Sequence, residues 1–455
     1  MTGGRSDALV LFGASGDLAR KKLLPAAYRL TRLGRLDVPV VGVGRSPWSD
    51  EDFVDYARES VLETEGSVDD AVFGQLAGRM RFVSGEYDDA DLYPRIDGAC
   101  DAAKVPLSYL AIPPFLFDRV IGGLASAGLN QFGRLVVEKP FGRDIASAIA
   151  LNDTVLDAYP EERVFRIDHF LGKEPVQNLQ VFRFANAMLE PVWNRNYVDE
   201  VQVTMFEDFD VQGRGGFYDD VGALRDVVQN HLLEMVALLA MEPPASADEA
   251  AMRDEKVKVL RAARQIEPTD VVRGQYEGYR AEEGVDPDSD TETYVELTLM
   301  IDSWRWAGVP FRLRAGKAMA STVTEALVEF RSPPRALFAS SDGETHPNHL
   351  RFRMKPDDTI SLHMHTKKPG SELTTSPVDL TVSSEEQLGD APEAYEQLLD
   401  DAMDGDARRF ARADAVTEQW RIVDRILEPT DAPFIYRKGS HGPRVKRDFD
   451  WHNGF

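Results

Sequence analysis

The chain has 455 residues, 43% hydrophobic and 28% charged, which suits a soluble protein of roughly two or three domains. Its formal net charge of -25 argues against nucleic acid or an anionic membrane surface as a partner. A single cysteine, Cys100, excludes an intrachain disulfide and a cysteine-rich metal site.

Ala8 to Phe12 is a short continuous apolar run, as a buried parallel strand requires. It ends in Gly13-Ala-Ser-Gly-Asp-Leu-Ala19, and the spacing of Leu23, Leu24, Ala27, Tyr28 and Leu30 predicts a helix stopped near Gly34. A strand, a glycine turn and a helix N-terminus together make an anion site, because glycines admit close backbone approach and N–H groups face the phosphates. Val38 to Gly44 reads as the second strand, ending in Arg45-Ser46. An acidic residue here would bind a ribose 2′-hydroxyl, whereas an arginine suits a 2′-phosphate. NADP is therefore the expected cofactor, held by Gly13, Gly16, Asp17, Leu18 and Arg45, with Ser15 and Ser46 as minor contacts. Ser49-Asp-Glu-Asp52 predicts a capping box at the next helix.

Three further strands are expected at 81–87, 107–112 and 135–142, with helices near 88–103, 115–127 and 143–158. A doubly wound sheet places its ligand beyond the C-terminal strand ends. Glu86, Tyr87 and Lys139 occupy such ends and join the cofactor residues; Lys139 is also placed to polarise the substrate. At 163–178 a strand end (Val164, Phe165, Ile167) runs into Asp168, His169 and Lys173, groups that can orient a base and hold an anion.

From about residue 177 the pattern alternates, at 200–206, 294–300 and 311–314, with more strands expected at 324–331, 350–355, 359–366 and 378–382. This predicts a large, mostly antiparallel sheet with helices on one side. Helices are expected at 217–240, 246–264, 391–403 and 415–428, and a loop over 265–292. Within the first of these, Asp226 and Asn230 are four apart and share a face, with His231 offset by one position. His363 and His365 lie on one strand face without a third ligand, so no metal is expected. The expected architecture is a Rossmann-like doubly wound domain over 1–175 and an α+β substrate and dimerisation domain over 176–455. With no signal peptide and no membrane-spanning apolar run in the sequence, a cytoplasmic enzyme is expected.

The string Arg166-Ile-Asp-His-Phe-Leu-Gly-Lys-Glu174 resembles the signature R-I-D-H-Y-L-G-K-E of glucose-6-phosphate dehydrogenases. Gly13–Ala19 is similar to that family's G-x-x-G-D-L-A, Glu138–Gly142 to E-K-P-F-G, and Asp226–Leu233 to D-M-V-Q-N-H-L-L. The resemblance extends to Tyr395-Glu396 and Trp420-Arg421. It implies NADP-dependent oxidation of glucose 6-phosphate at C1 to 6-phosphogluconolactone, the entry to the pentose phosphate pathway. By the same matching His231 is the base and Asp168 its orienting carboxylate. Glu207 and Asp226 correspond to hexose-hydroxyl ligands, His169 and Lys173 to phosphate ligands, and Lys317 to a substrate-site lysine. A homodimer or homotetramer built on the open C-terminal sheet is also implied. Two positions depart from the pattern: Phe170 replaces a tyrosine, and Thr322 stands where an arginine or lysine belongs. Both departures would also suit another or an unphosphorylated sugar. A non-catalytic NADP-binding partner is the third reading, and retention of Asp168, Lys139 and His231 together argues against it.

Overall fold

The computed structural model describes residues 4–211, 213–335, 337–340, 346–383, 392–429 and 431–452. The chain divides into two compact units. One comprises Met1–Glu174, Ser246–Arg253 and Pro392–Thr417; the other comprises Pro175–Ala245, Asp254–Ala391 and Glu418–Phe455.

The first unit is built on a six-stranded parallel sheet of β1 (Ala8–Phe12), β2 (Val40–Gly44), β3 (Met80–Ser84), β4 (Pro106–Leu110), β5 (Arg134–Glu138) and β6 (Val164–Ile167). The strand order is β3-β2-β1-β4-β5-β6. Every residue of β1, β2, β4 and β6 is buried, which is why these segments read as unbroken apolar runs. Crossover helices follow at α1 (Leu24–Arg32), α2 (Asp50–Glu65), α3 (Asp70–Ala77), α4 (Leu92–Ala99), α5 (Phe117–Ser126) and α6 (Ile145–Ala158). Ser49 caps α2 in the expected box, its side chain accepting from the Asp52 N–H while its own N–H donates to the Asp52 carboxylate. The helix Ala394–Asp404, far along the chain, closes this core: Leu398, Leu399, Ala402 and Met403 pack with Leu9, Leu11, Phe53 and Phe165. Residue 391, where that helix was expected to begin, lies outside the described residues.

The second unit carries a ten-stranded sheet of β7 (Val198–Phe206), β8 (Val271–Tyr276), β9 (Tyr294–Met300), β10 (Pro310–Gly316), β11 (Val323–Phe330), β12 (Ala339–Ser340), β13 (His349–Lys355), β14 (Thr359–Lys367), β15 (Thr374–Ser383) and β16 (Phe434–Tyr436). Its order is β12-β15-β14-β13-β11-β7-β10-β9-β8-β16. Only the β7–β10, β8–β16 and β12–β15 pairs are parallel, so the sheet is mostly antiparallel, as expected.

Two expectations for this unit need correction. The stretch 265–292 is not all loop, since β8 runs through it and pairs with β9. Arg273 and Gly274 interrupt the apolar alternation that would have marked the strand. The single helix expected over 217–240 is also broken. It consists of a short helix Gly215–Asp219, a π-helical segment Leu224–Leu232 and an α-helix Leu233–Ala240. Gly222 marks the break with φ +64°, and a Cβ there would meet Glu292 Oε1 at 2.6 Å. Among the described residues no helix is long and apolar enough to cross a membrane.

Candidate active site

In the first unit the strand order reverses between β1 and β4, and a cleft of about 570 Å³ opens at the C-terminal ends of β1 to β4. Gly13, Ser15, Gly16, Arg45, Glu86 and Tyr87 line it, six of the residues predicted for the cofactor. Gly13 has φ +76°, and a Cβ at this position would lie 2.3 Å from the Ala111 carbonyl oxygen, so only glycine lets β1 turn here. The Gly13 N–H donates to the Val43 carbonyl and that of Gly16 to Gly13, so these two donors hold the turn's own shape. After the turn the chain enters a π-helical segment, Ala19–Leu23, before α1 begins. Asp17 is exposed and paired with Lys21 at 3.0 Å, and neither it nor Leu18 lines the cleft. Arg45 is exposed at the end of β2.

Asp88 and Arg119, which no sequence signal marks, also line the cleft. They pair with each other at 2.9 Å, and both are exposed. An exposed pair of this kind is worth little in itself, so Arg119 is available to an anionic ligand. No motif marks it in the first turn of α5.

At the far end of β5, Lys139 follows Glu138, which the sequence had treated only as part of the E-K-P string. Tyr109 donates its hydroxyl to Glu138 Oε1 at 2.5 Å, and Tyr395 also hydrogen bonds to this carboxylate. Burial pushes the Glu138 carboxyl up to about 7, against the opposing pull of the two tyrosine hydroxyls and Lys139. Asp168 leaves β6 buried, at 2% exposure, and its Oδ1 accepts the Phe170 N–H at 3.0 Å. A tight turn through Leu171, Gly172 and Lys173 then brings the next helix, Glu174–Ala185, to its start. His169 stacks on Tyr395, with ring centroids 6.4 Å apart and planes 8° apart. Phe170 is buried, and the Lys173 ammonium lies 5.4 Å from its ring centroid. A tyrosine here would have to place its hydroxyl from within this packing.

In the second unit β7 and β10 run parallel with Phe206 opposite Gly316. The next residue of each strand is therefore Glu207 and Lys317, side by side, and Lys317 Nζ donates to Glu207 Oε2 at 2.6 Å. The ammonium also lies 5.1 Å from the ring centroid of Tyr218, a residue that sequence reasoning missed. The Tyr218 hydroxyl is driven well above its ordinary range, first by burial and then by the charges of Asp226, Glu292, Tyr436 and Glu207. Three carboxylates and an ammonium around a phenol can accept and donate to several sugar hydroxyls. Thr322 is bound to Asp208, whose Oδ1 accepts its hydroxyl at 2.6 Å.

His231 is buried, at 5% exposure, near the end of the π-helical segment. Asn230 donates its side-chain amide to the Arg225 carbonyl, five residues back, at 3.1 Å. Separately, the backbone of this segment is π-helical, with i→i+5 rather than i→i+4 bonding. Its wider turn brings positions five apart, such as Asp226 and His231, nearer to one face than an α-helix does, whose spacing groups Asp226 with Asn230.

A model of the glucose-6-phosphate dehydrogenase NAD binding domain matches residues 10–178, and one of the glucose-6-phosphate dehydrogenase C-terminal domain matches residues 180–454. Glucose-6-phosphate 1-dehydrogenase 1 of Mycobacterium tuberculosis is 44% identical over 445 residues, covering 97% of this chain and 94% of its own. A crystal structure of glucose-6-phosphate 1-dehydrogenase from Mycobacterium avium is 43% identical with a TM-score of 0.89, over 97% of this chain and 96% of that one. A glucose-6-phosphate dehydrogenase solved in complex with its substrate glucose-6-phosphate is 34% identical with a TM-score of 0.91, over 98% and 97%. With both family domains matched over nearly its full length, the chain belongs to the glucose-6-phosphate dehydrogenase family of oxidoreductases.

Proposed function

We propose that this chain oxidises glucose 6-phosphate at C1 to 6-phosphogluconolactone with NADP as the acceptor. The domain division of the reaction puts the cofactor on residues 1–175 and the sugar, with dimerisation, on 176–455. The observation that carries the cofactor half is the cleft at the ends of β1 to β4, where the glycine turn and Arg45 share one wall. Gly13 lets the chain turn tightly against Ala111 at the end of β1, which keeps side-chain bulk out of the turn beside the cleft where a pyrophosphate would lie. Arg45 has the charge and the planar fork that suit a 2′-phosphate. NADP, when bound, accepts the hydride from C1.

His231 takes the C1 hydroxyl proton, and the carboxylate of Asp168 stabilises the imidazolium that results. Glu207, Asp226 and Lys317 hold the hexose hydroxyls, with Lys139 at the substrate or the cofactor. His169 and Lys173 hold the 6-phosphate. The phosphate is remote from C1, so these cations contribute binding that ground state and transition state share. A homodimer or homotetramer in the cytoplasm completes the proposal.

The test is NADPH formation by the purified chain with glucose 6-phosphate, assayed at low and at high salt because of the net charge of -25. Turnover at either salt supports the reading. No turnover at both overturns it.

A further inference from the structure

Five of the chain's eight histidines gather in one place on the second unit. His349 on β13 and His363 on β14 are direct cross-strand partners. Their rings stack at 4.6 Å between centroids with planes 7° apart. His365, two residues along β14, places its ring 5.9 Å from that of His363, and His452 brings a fourth ring to 5.3 Å from His349. The third imidazole that the sequence could not supply for His363 and His365 thus comes from the neighbouring strand.

The hydrogen bonds fix where the lone pairs are. His363 Nδ1 lies 2.8 Å from Asp379 Oδ1. A carboxylate only accepts, so Nδ1 carries the hydrogen and the neutral ring keeps its lone pair on Nε2. His365 Nε2 lies 3.0 Å from the His346 carbonyl oxygen, which leaves the lone pair on Nδ1. His452 Nε2 is bonded to the Glu329 carboxylate, which again leaves Nδ1 as the lone pair. The Nδ1 atoms of His349 and His365 are buried with no hydrogen-bond partner among the described residues. One ring nitrogen tied to a carboxylate or carbonyl, the other left as a lone pair, is the pattern of metal-ligating imidazoles.

We propose that this cluster is a binding site for a divalent cation of the Zn²⁺, Ni²⁺ and Cu²⁺ class, which imidazole suits. His349 and His363 form its core, His365 completes it from the same strand, and Asp379 fixes the His363 ring from behind. Among the described residues no three of these donor atoms lie within 4.8 Å of one another. The cation therefore draws the rings together by side-chain rotation, starting from the stacked pair, and ties β13 to β14.

The full chain, untagged and stripped with a chelator, is titrated calorimetrically with ZnCl₂, NiCl₂ and MgCl₂, and its melting temperature is followed alongside. Saturable uptake of Zn²⁺ and Ni²⁺ with a rise in melting temperature is expected, and no response to Mg²⁺, a hard cation that prefers oxygen ligands. His349→Gln and His363→Gln should each weaken Zn²⁺ binding about tenfold or more, and Asp379→Asn by roughly 10–100-fold, the usual worth of an outer partner. Asp379 is exposed on β15, so its variant keeps the metal-free melting temperature and separates lost binding from lost folding. Absence of saturable Zn²⁺ uptake by the wild type overturns the site. Uptake unchanged in all three variants overturns it equally.

Discussion

In the first unit the functional groups sit where a parallel sheet puts them, at the carboxyl ends of β1 to β5 around a strand-order reversal. In the second they depend on local departures from regularity: a glycine break, a π-helical turn under His231, and the register that sets Glu207 beside Lys317. The cleft proposed for the cofactor is thus a consequence of topology, and a substitution of an exposed lining side chain such as Arg45 changes affinity without disturbing the frame. The residues proposed for the sugar and for the base owe their placement to local irregularities of the backbone and to strand register. Substitutions in the two regions should separate cleanly, in cofactor constants for the first and in turnover or sugar constants for the second.

The largest effect belongs to the second region. His231→Asn should lower kcat by roughly 10²–10⁴-fold, the worth of a positioned base, with the Michaelis constant for glucose 6-phosphate kept. Near-normal initial rates would place the base elsewhere. In the first region, Arg45→Asp should raise the Michaelis constant for NADP about 10–100-fold through loss of a charge-assisted hydrogen bond, and leave that for NAD nearly unchanged. Equal effects on both cofactors would mean that Arg45 does not read the 2′-phosphate.

Glu138 sharpens the comparison from the side of stability. Its folded pKa of about 7 lies above the ordinary 4.5, so the folded chain holds this proton more tightly than the unfolded one. Its contribution is therefore full below the lower value and is lost as pH rises through the upper one. Glu138→Gln should flatten the pH dependence of unfolding free energy across that interval by on the order of 1–3 kcal/mol. Denaturant titrations at its two ends would show this, and an unchanged slope would mean that Glu138 is ionised throughout. The smallest effect is at Thr322. A lysine there would add a cation for the sugar phosphate, but Asp208 already faces the position. Thr322→Lys should then lower the Michaelis constant for glucose 6-phosphate only about two- to fivefold, the range of a partly exposed ion pair, and less in high salt. An increase would show that the hydroxyl bond to Asp208 matters more than added charge.

The first unit was legible in the sequence because a strand buried on both faces must be apolar throughout, and Ala8–Phe12 or Val40–Gly44 can hardly be read otherwise. The glycine turn and Arg45 followed from position alone. Arg119 did not, since it reaches the cleft from a helix that carries no motif, and Tyr395 was marked only by the resemblance, with no sign of its place beside Glu138 and His169. In the second unit the strands with clean alternation were legible, while β8 was hidden by Arg273 and Gly274. The irregular backbone that carries Asp226 and His231 was invisible to an α-helical period because the segment does not follow one. Tyr218 lies on a five-residue helix too short to announce itself.

The most direct measurement is the ratio of kcat/KM for glucose 6-phosphate to that for glucose, with NADP as acceptor. Two charge-assisted contacts from His169 and Lys173, at about 1.5–3 kcal/mol each, predict a preference of at least about 10²-fold for the phosphorylated sugar. Glucose turned over as efficiently as glucose 6-phosphate would contradict the account.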